Sequence, residues 1–234
     1  MTDATAPAHT PRGYEDLPHL IGLMSGDEKH ATSADSTLDV LWVLYDRVLN
    51  VSPATIDDPD RDRFLLSKGH GPMSYYAVLA ARGFIPVDSL ATFGAYDSPL
   101  GHHPDRMLIP GVEISSGSLG HGLPIGVGLA LGLRAQQRGS RVVVLVGDAE
   151  LDEGSNHEAI ALAGRLGLDR LTAVVVDNRS ASHGWPGGIA GRFEIEGWTV
   201  ATVDGRDHDA LEAALTADHR GRPNLVVAVV ERGS

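Results

Sequence analysis

From Val142 onward, apolar runs and helical spacing alternate with a steady rhythm. The runs Val142–Val146, Thr172–Asp177, Thr199–Val203 and Leu225–Val230 read as strands. The segments Gly120–Arg138, Ser155–Leu166 and Asp207–Ala217 between them read as helices, with a loop at Asn178–Gly191 and a short helix before Thr199. Strands that are apolar at nearly every position expect helices on both faces. Repeated β-α-β order implies a parallel sheet with right-handed crossovers.

The first half is more mixed. Helices are expected near Tyr14–Met24, over Ser36–Asn50 and over Met73–Arg82, with a short one at Asp88–Phe93. The second of these carries Leu38, Leu41, Trp42, Leu44, Tyr45, Val48 and Leu49 at helical spacing. Gly26–Ser33 and the Pro- and Asp-rich stretch Asn50–Arg63 read as connections. Arg63–Ser67 is a short strand followed by a tight Gly-rich turn, Lys68–Pro72. Asp97–Ser118, punctuated by Pro99, Pro104 and Pro110, is a long loop of the kind that carries binding residues. Without a repeat or linker, residues 13–234 read as one α/β domain with a parallel sheet flanked by helices on both faces. Residues 1–12 read as a disordered tail with no apolar signal-peptide core.

Composition narrows the function. A formal net charge of −12 argues against nucleic acid or an anionic membrane as the main partner. With 0 Cys, thiolate nucleophiles, disulfides and Cys-ligated metals are excluded. The longest glycine-broken apolar run, Ile125–Leu133, is too short to span a bilayer, and a cytoplasmic location is expected.

Ligands of open parallel sheets bind beyond the carboxyl ends of the strands. The polar signals fall there: Gly69-His70-Gly71 after Leu66, Gly147-Asp148 after Val146, and Asp177-Asn178 after Val176. If the last two strands are neighbours, Asp148 and Asn178, thirty positions apart, point at one spot. A carboxylate plus an amide oxygen suits Mg²⁺ or Ca²⁺, which take hard oxygen ligands. Singly, the same residues would serve as a helix cap and a turn.

At this point a family resemblance becomes visible. Gly147-Asp148-x-Glu150…Glu153-Gly154…Asn178 resembles the thiamine-diphosphate motif. Leu65–Gly71 (LLSKGHG), His103-Pro104-Asp105 with Pro110–Glu113, Ser116–Gly122 (SGSLGHG) and Asp204–Asp207 (DGRD) resemble, in order, motifs of transketolases. The similarity runs from about Asp16 to Glu231.

The resemblance implies a thiamine-diphosphate-binding fold of the diphosphate-domain type, with thiamine diphosphate and Mg²⁺ as cofactors and Ca²⁺ or Mn²⁺ as substitutes. Asp148, Asn178 and the Ser180 carbonyl would ligate the metal. Gly117, Ser118 and Leu119 would present backbone to the diphosphate, and Gly147, Asp148, Ala149, Glu150 and Asn178 would complete the cradle. Glu153 falls on a subunit-interface position counted with the cofactor site. His70 would touch the diphosphate and the reacting region, His103 the substrate hydroxyls, and His30 the channel mouth. His102 stands where the family has Gly.

Two further departures bear on activity. The Gly that usually follows the motif Asp is Ala149, and the position of a sugar-phosphate-binding Arg is Gly94. The resemblance implies transfer of a two-carbon ketol or acyl unit from a ketone donor to an aldehyde acceptor. It also implies a separate partner chain carrying the pyrimidine-binding domain, in a heterodimer or heterotetramer. Three alternatives stand beside it: an α-type subunit of a 2-oxoacid decarboxylase or dehydrogenase, an acyloin-forming enzyme, and a subunit that keeps the cofactor domain without catalysis.

Overall fold

The computed structural model describes residues 12–25, 35–181 and 184–230; His30, His183, Gly26–Ser33 and most of the expected tail lie outside them. The apolar runs pair as one sheet of five parallel strands: β1 (Arg63–Leu66), β2 (Val142–Gly147), β3 (Leu171–Asp177), β4 (Thr199–Asp204) and β5 (Asn224–Val229). Their spatial order is β1-β2-β3-β5-β4. β2 and β3 are therefore neighbours, and their register sets Gly147 beside Val176.

The helices are α1 (Leu17–Gly22), α2 (Leu38–Val43), α3 (Met73–Ala81), α4 (Gly122–Ala135), α5 (Gly154–Arg165), α6 (Gly188–Ile195) and α7 (His208–Thr216). Alternate strand positions face opposite sides. Val143, Leu145, Val174 and Val176 join a core with residues of α1, α2, α3 and α7. Val142, Val144, Val146, Ala173 and Val175 join a second core with α4, α5 and α6. α3 is buried at every position, which explains its apolar circumference.

Three expectations change in detail. The first predicted helix opens as a 3-10 turn at Tyr14–Asp16, and the α-helix begins at Leu17, with Pro18 in its first turn where a missing N–H costs nothing. The second helix widens after Val43 into a π-turn, Leu44–Val48, in which Leu49 N–H reaches back to the Leu44 carbonyl at 2.8 Å. The widened turn coincides with Tyr45, whose ring packs on Phe64 and Phe84 and whose hydroxyl lies 2.9 Å from that of Tyr75. β4 departs from the two-sided burial expected of it. It is an edge strand, half-exposed along its length, and its Thr residues suit that position. Among the described residues, no helix is long and apolar enough to cross a membrane.

Candidate functional site

The carboxyl ends of β1, β2 and β3 lie side by side, so the segments that follow them meet in one crevice. Asp148 continues the ladder for one residue, its N–H bonding the Val176 carbonyl at 3.1 Å. Its side chain is buried, and both carboxylate oxygens accept from nearby groups. Oδ1 accepts from Ala149 N–H at 2.9 Å and from the Ser180 hydroxyl, and Oδ2 from Ser180 N–H at 2.6 Å and Ala181 N–H at 3.1 Å. Asp148 thus caps the 3-10 turn Ala149–Asp152 and also holds the loop that bears Asn178. The half-buried Asn178 follows directly on β3, with its amide oxygen shielded from solvent.

These donors fit a hard divalent cation. Asp148, the Asn178 amide and the Ser180 carbonyl belong to one carboxylate-centred turn, and all three offer oxygen. No group of three or more His, Cys, Asp or Glu among the described residues is placed to hold a metal. A cation here would therefore complete its shell with ligand oxygens and water, as Mg²⁺ ordinarily does at phosphate sites. A carboxylate has about four lone-pair positions, and four donors already use them, so a cation must displace at least one loop bond to enter.

The loop that precedes α4 crosses the end of β1. Gly117 has φ +119°, and a Cβ on Gly69 would lie 2.7 Å from the Gly117 nitrogen. Backbone meets backbone at this point, which only glycine permits. Ser118, Leu119 and Gly120 follow as a turn into α4, and the Ser116 hydroxyl is shielded and has no hydrogen-bond partner among the described residues. A shielded hydroxyl on the loop that enters a helix start is the chemistry a phosphate oxygen matches.

His103 Nδ1 lies 3.0 Å from the Gly69 carbonyl, and its ring stands edge-on to that of His70 with centroids 5.6 Å apart. His102 packs instead against Phe93, centroids 5.4 Å apart, and over Gly94. Of the two adjacent histidines, His103 is the one that joins His70.

Glu150, in contrast, turns inward. Its carboxylate is almost fully buried and accepts from the Ser67 hydroxyl, Gly120 N–H at 2.9 Å and Gly147 N–H at 3.3 Å. Burial lifts its pKa above the ordinary value, and these hydrogen bonds and Lys68 only partly offset the lift. Ala149 begins the 3-10 turn, and Glu153 is exposed at the entry to α5, its side chain lying over Gly120.

One group in this region escapes a reading of the sequence alone. Lys68 is buried with its ammonium 3.4 Å from the Ser36 hydroxyl and its stem along Gly147. Burial pushes its pKa down to about 8, against the attraction of Asp148 and Glu150. Trp185, in the segment after Ser180, packs on the His157 ring with centroids 4.7 Å apart and under the Arg192 guanidinium. For Lys68 a signal did exist: a cation on an apolar stem, inside the LSKGHG turn that follows a buried strand.

Comparison with known proteins agrees with this geometry. Residues 24–233 match the family model "Transketolase, thiamine diphosphate binding domain", and the chain belongs to that family. Ferredoxin fas2 of Rhodococcoides fascians is 60% identical over 94% of this chain and 73% of its own length. This chain has 0 Cys and so offers no thiolate ligands for an iron–sulfur cluster. An apulose-4-phosphate transketolase subunit of Actinobacillus succinogenes is 37% identical, with 87% of this chain and 76% of that protein aligned. A transketolase from Leishmania mexicana superposes with TM-score 0.77 at 27% identity, covering 94% of this chain. The chain spans 37% of that solved protein's length.

Proposed function

We propose that this chain is the diphosphate- and metal-holding subunit of a thiamine-diphosphate- and Mg²⁺-dependent enzyme. It transfers a two-carbon ketol unit from a ketone donor to an aldehyde acceptor, and it works with a second chain. The observation that carries this reading is the meeting of Asp148 and its Asn178-bearing loop with the Gly117–Gly120 backbone and the His70–His103 pair at three adjacent strand ends. Relatives named as individual transketolase subunits support the two-chain arrangement.

When bound, thiamine diphosphate would supply the nucleophilic carbon and the electron sink that ketol transfer needs. The protein's own residues bind and orient. Asp148, Asn178 and the Ser180 carbonyl would hold the cation, and the 117–119 backbone would bind the diphosphate. A carbonyl accepts only, so His103 donates from Nδ1 to Gly69, which leaves Nε2 of the neutral ring as an acceptor for a substrate hydroxyl. His70, edge-on to it, is the second imidazole that would carry protons at the reacting region. Residues 83–105 contain no Arg or Lys, and Gly94 with the overlying His102 fills the expected anion position. We accordingly place substrates that lack a phosphate read from this loop at the site.

The test incubates the purified assembly with thiamine diphosphate, Mg²⁺, a ketose donor and an aldehyde acceptor, and follows the product by mass spectrometry. An acceptor lengthened by two carbons supports the assignment. Release of CO₂ from a 2-oxoacid with no ketol transfer overturns it.

A further inference from the structure

A second carboxylate joins the loop after β1, the end of β2 and the loop that enters α4. Glu150 follows β2, Ser67 follows β1, and Gly120 belongs to the loop that enters α4. Glu150 Oε1 receives both the Ser67 hydroxyl and Gly120 N–H (2.9 Å). Oε2 receives Gly147 N–H at 3.3 Å. The Ser67 oxygen in turn accepts Gly122 N–H, the first residue of α4, at 3.0 Å. Asn156, fully buried in α5, donates to the Glu150 carbonyl at 2.7 Å and fixes its backbone. The fit leaves no slack: a Cβ on Gly122 would lie 2.2 Å from the Ser67 side chain.

This arrangement changes what Glu150 does. A carboxylate that touched a diphosphate would repel it. Here the carboxylate is buried and engaged by donors, and it holds the turn twice: Gly120 N–H donates to it directly, and Gly122 N–H donates to the Ser67 hydroxyl that it orients. We propose that Glu150, through Ser67, is a positioning residue that pre-sets the Gly117–Gly122 turn for the diphosphate before any cofactor arrives. It never touches the cofactor itself. The diphosphate part of this rests on the thiamine-diphosphate reading above; the clasp between the loops does not. Preorganisation of this kind lowers the ordering cost of binding.

The test has two readouts. The first is amide hydrogen exchange at residues 118–122 in the full chain without cofactor, comparing wild type with Glu150→Ala, Glu150→Gln and Ser67→Ala. Loss of charge-assisted bonds predicts about tenfold faster exchange in Glu150→Ala, with smaller increases in the other two. The second is calorimetric titration of thiamine diphosphate with Mg²⁺ into the assembly in which wild type binds it. We expect affinity to fall by about tenfold in Glu150→Ala and to recover in part in Glu150→Gln, while substrate KM at saturating cofactor stays at the wild-type value. If Glu150→Ala does not fold, Ser67→Ala carries both measurements.

Unchanged exchange in the variants overturns the clasp. Faster exchange with unchanged cofactor affinity overturns the positioning role. Faster exchange in the variants, beside a wild-type assembly that binds no thiamine diphosphate, sinks the functional reading instead and leaves the clasp standing.

Discussion

His103 and Gly69 are tied side chain to backbone at 3.0 Å, and the tie fixes which nitrogen of that imidazole would face a substrate in the proposed site. The bond also sets the His103 ring across His70. Replacing His103 with Asn keeps a donor but loses the ring. We expect a fall of about a hundredfold in kcat/KM for ketol transfer. The side chain is exposed, so the thermal midpoint should hardly move. A coupled transfer assay beside a melting curve checks both; normal turnover in this variant would remove His103 from the site.

Asp148→Asn should abolish Mg²⁺-dependent retention of thiamine diphosphate, since it removes the one carboxylate of the proposed ligand set. A second consequence follows from the loop bonds. Asp148 holds Ser180 and Ala181 by their N–H groups, so the variant should also expose the loop after β3. Limited proteolysis should cut between 178 and 188 faster in the variant, and equal cutting rates would show that the loop is held by Trp185 and its neighbours alone.

The buried Lys68 predicts a pH effect of definite sign. Its folded pKa lies near 8, below the ordinary value of 10.5. Between those values the unfolded chain binds more protons, so this group makes stability rise with pH from about 8 to 10.5. The full contribution is on the order of 3 kcal/mol. Urea midpoints measured from pH 7 to 10 for wild type and Lys68→Met should converge as pH rises, and parallel curves would count against a desolvated ammonium.

At the far end of the sheet, Asp39 accepts from Tyr14, Arg206 and His208 at 2.6, 2.7 and 2.8 Å. Burial alone would raise its pKa, but these bonds outweigh burial and hold it below the ordinary carboxylate value. Its stabilisation is therefore complete above that value and is lost as pH falls through the folded one. Asp39→Asn should cost about 2 kcal/mol at pH 7 and progressively less as pH falls below the ordinary carboxylate value, as measured by denaturant unfolding.

The reach of the sequence is clearest at β2 and β3. Their Val runs announced buried parallel strands, and the polar residues directly after them announced a crevice. The spacing from Asp148 to Asn178 required adjacent strands, and they are adjacent. Contacts that bridge distant segments left no local trace. Ser67 and Glu150 are 83 positions apart, and Tyr14 meets an Asp39 that also binds Arg206, 167 positions beyond it. The π-turn at Tyr45 was hidden because its apolar spacing also fits an ordinary helix. β4 read as a buried strand because a Val/Ala/Thr run does not say whether it lies at the centre or at an edge.

The four donors around Asp148 have a consequence for how the fold carries this buried charge. A buried carboxylate left bare would strain the fold until metal arrived, and the chain would then depend on supply. Here the loop after β3 solvates the charge in the ion's stead. Ion uptake at the proposed site would then be an exchange of one set of partners for another, with an affinity set by their difference. In the proposed site, the loop after β3 would thus be held in place before any ion is loaded.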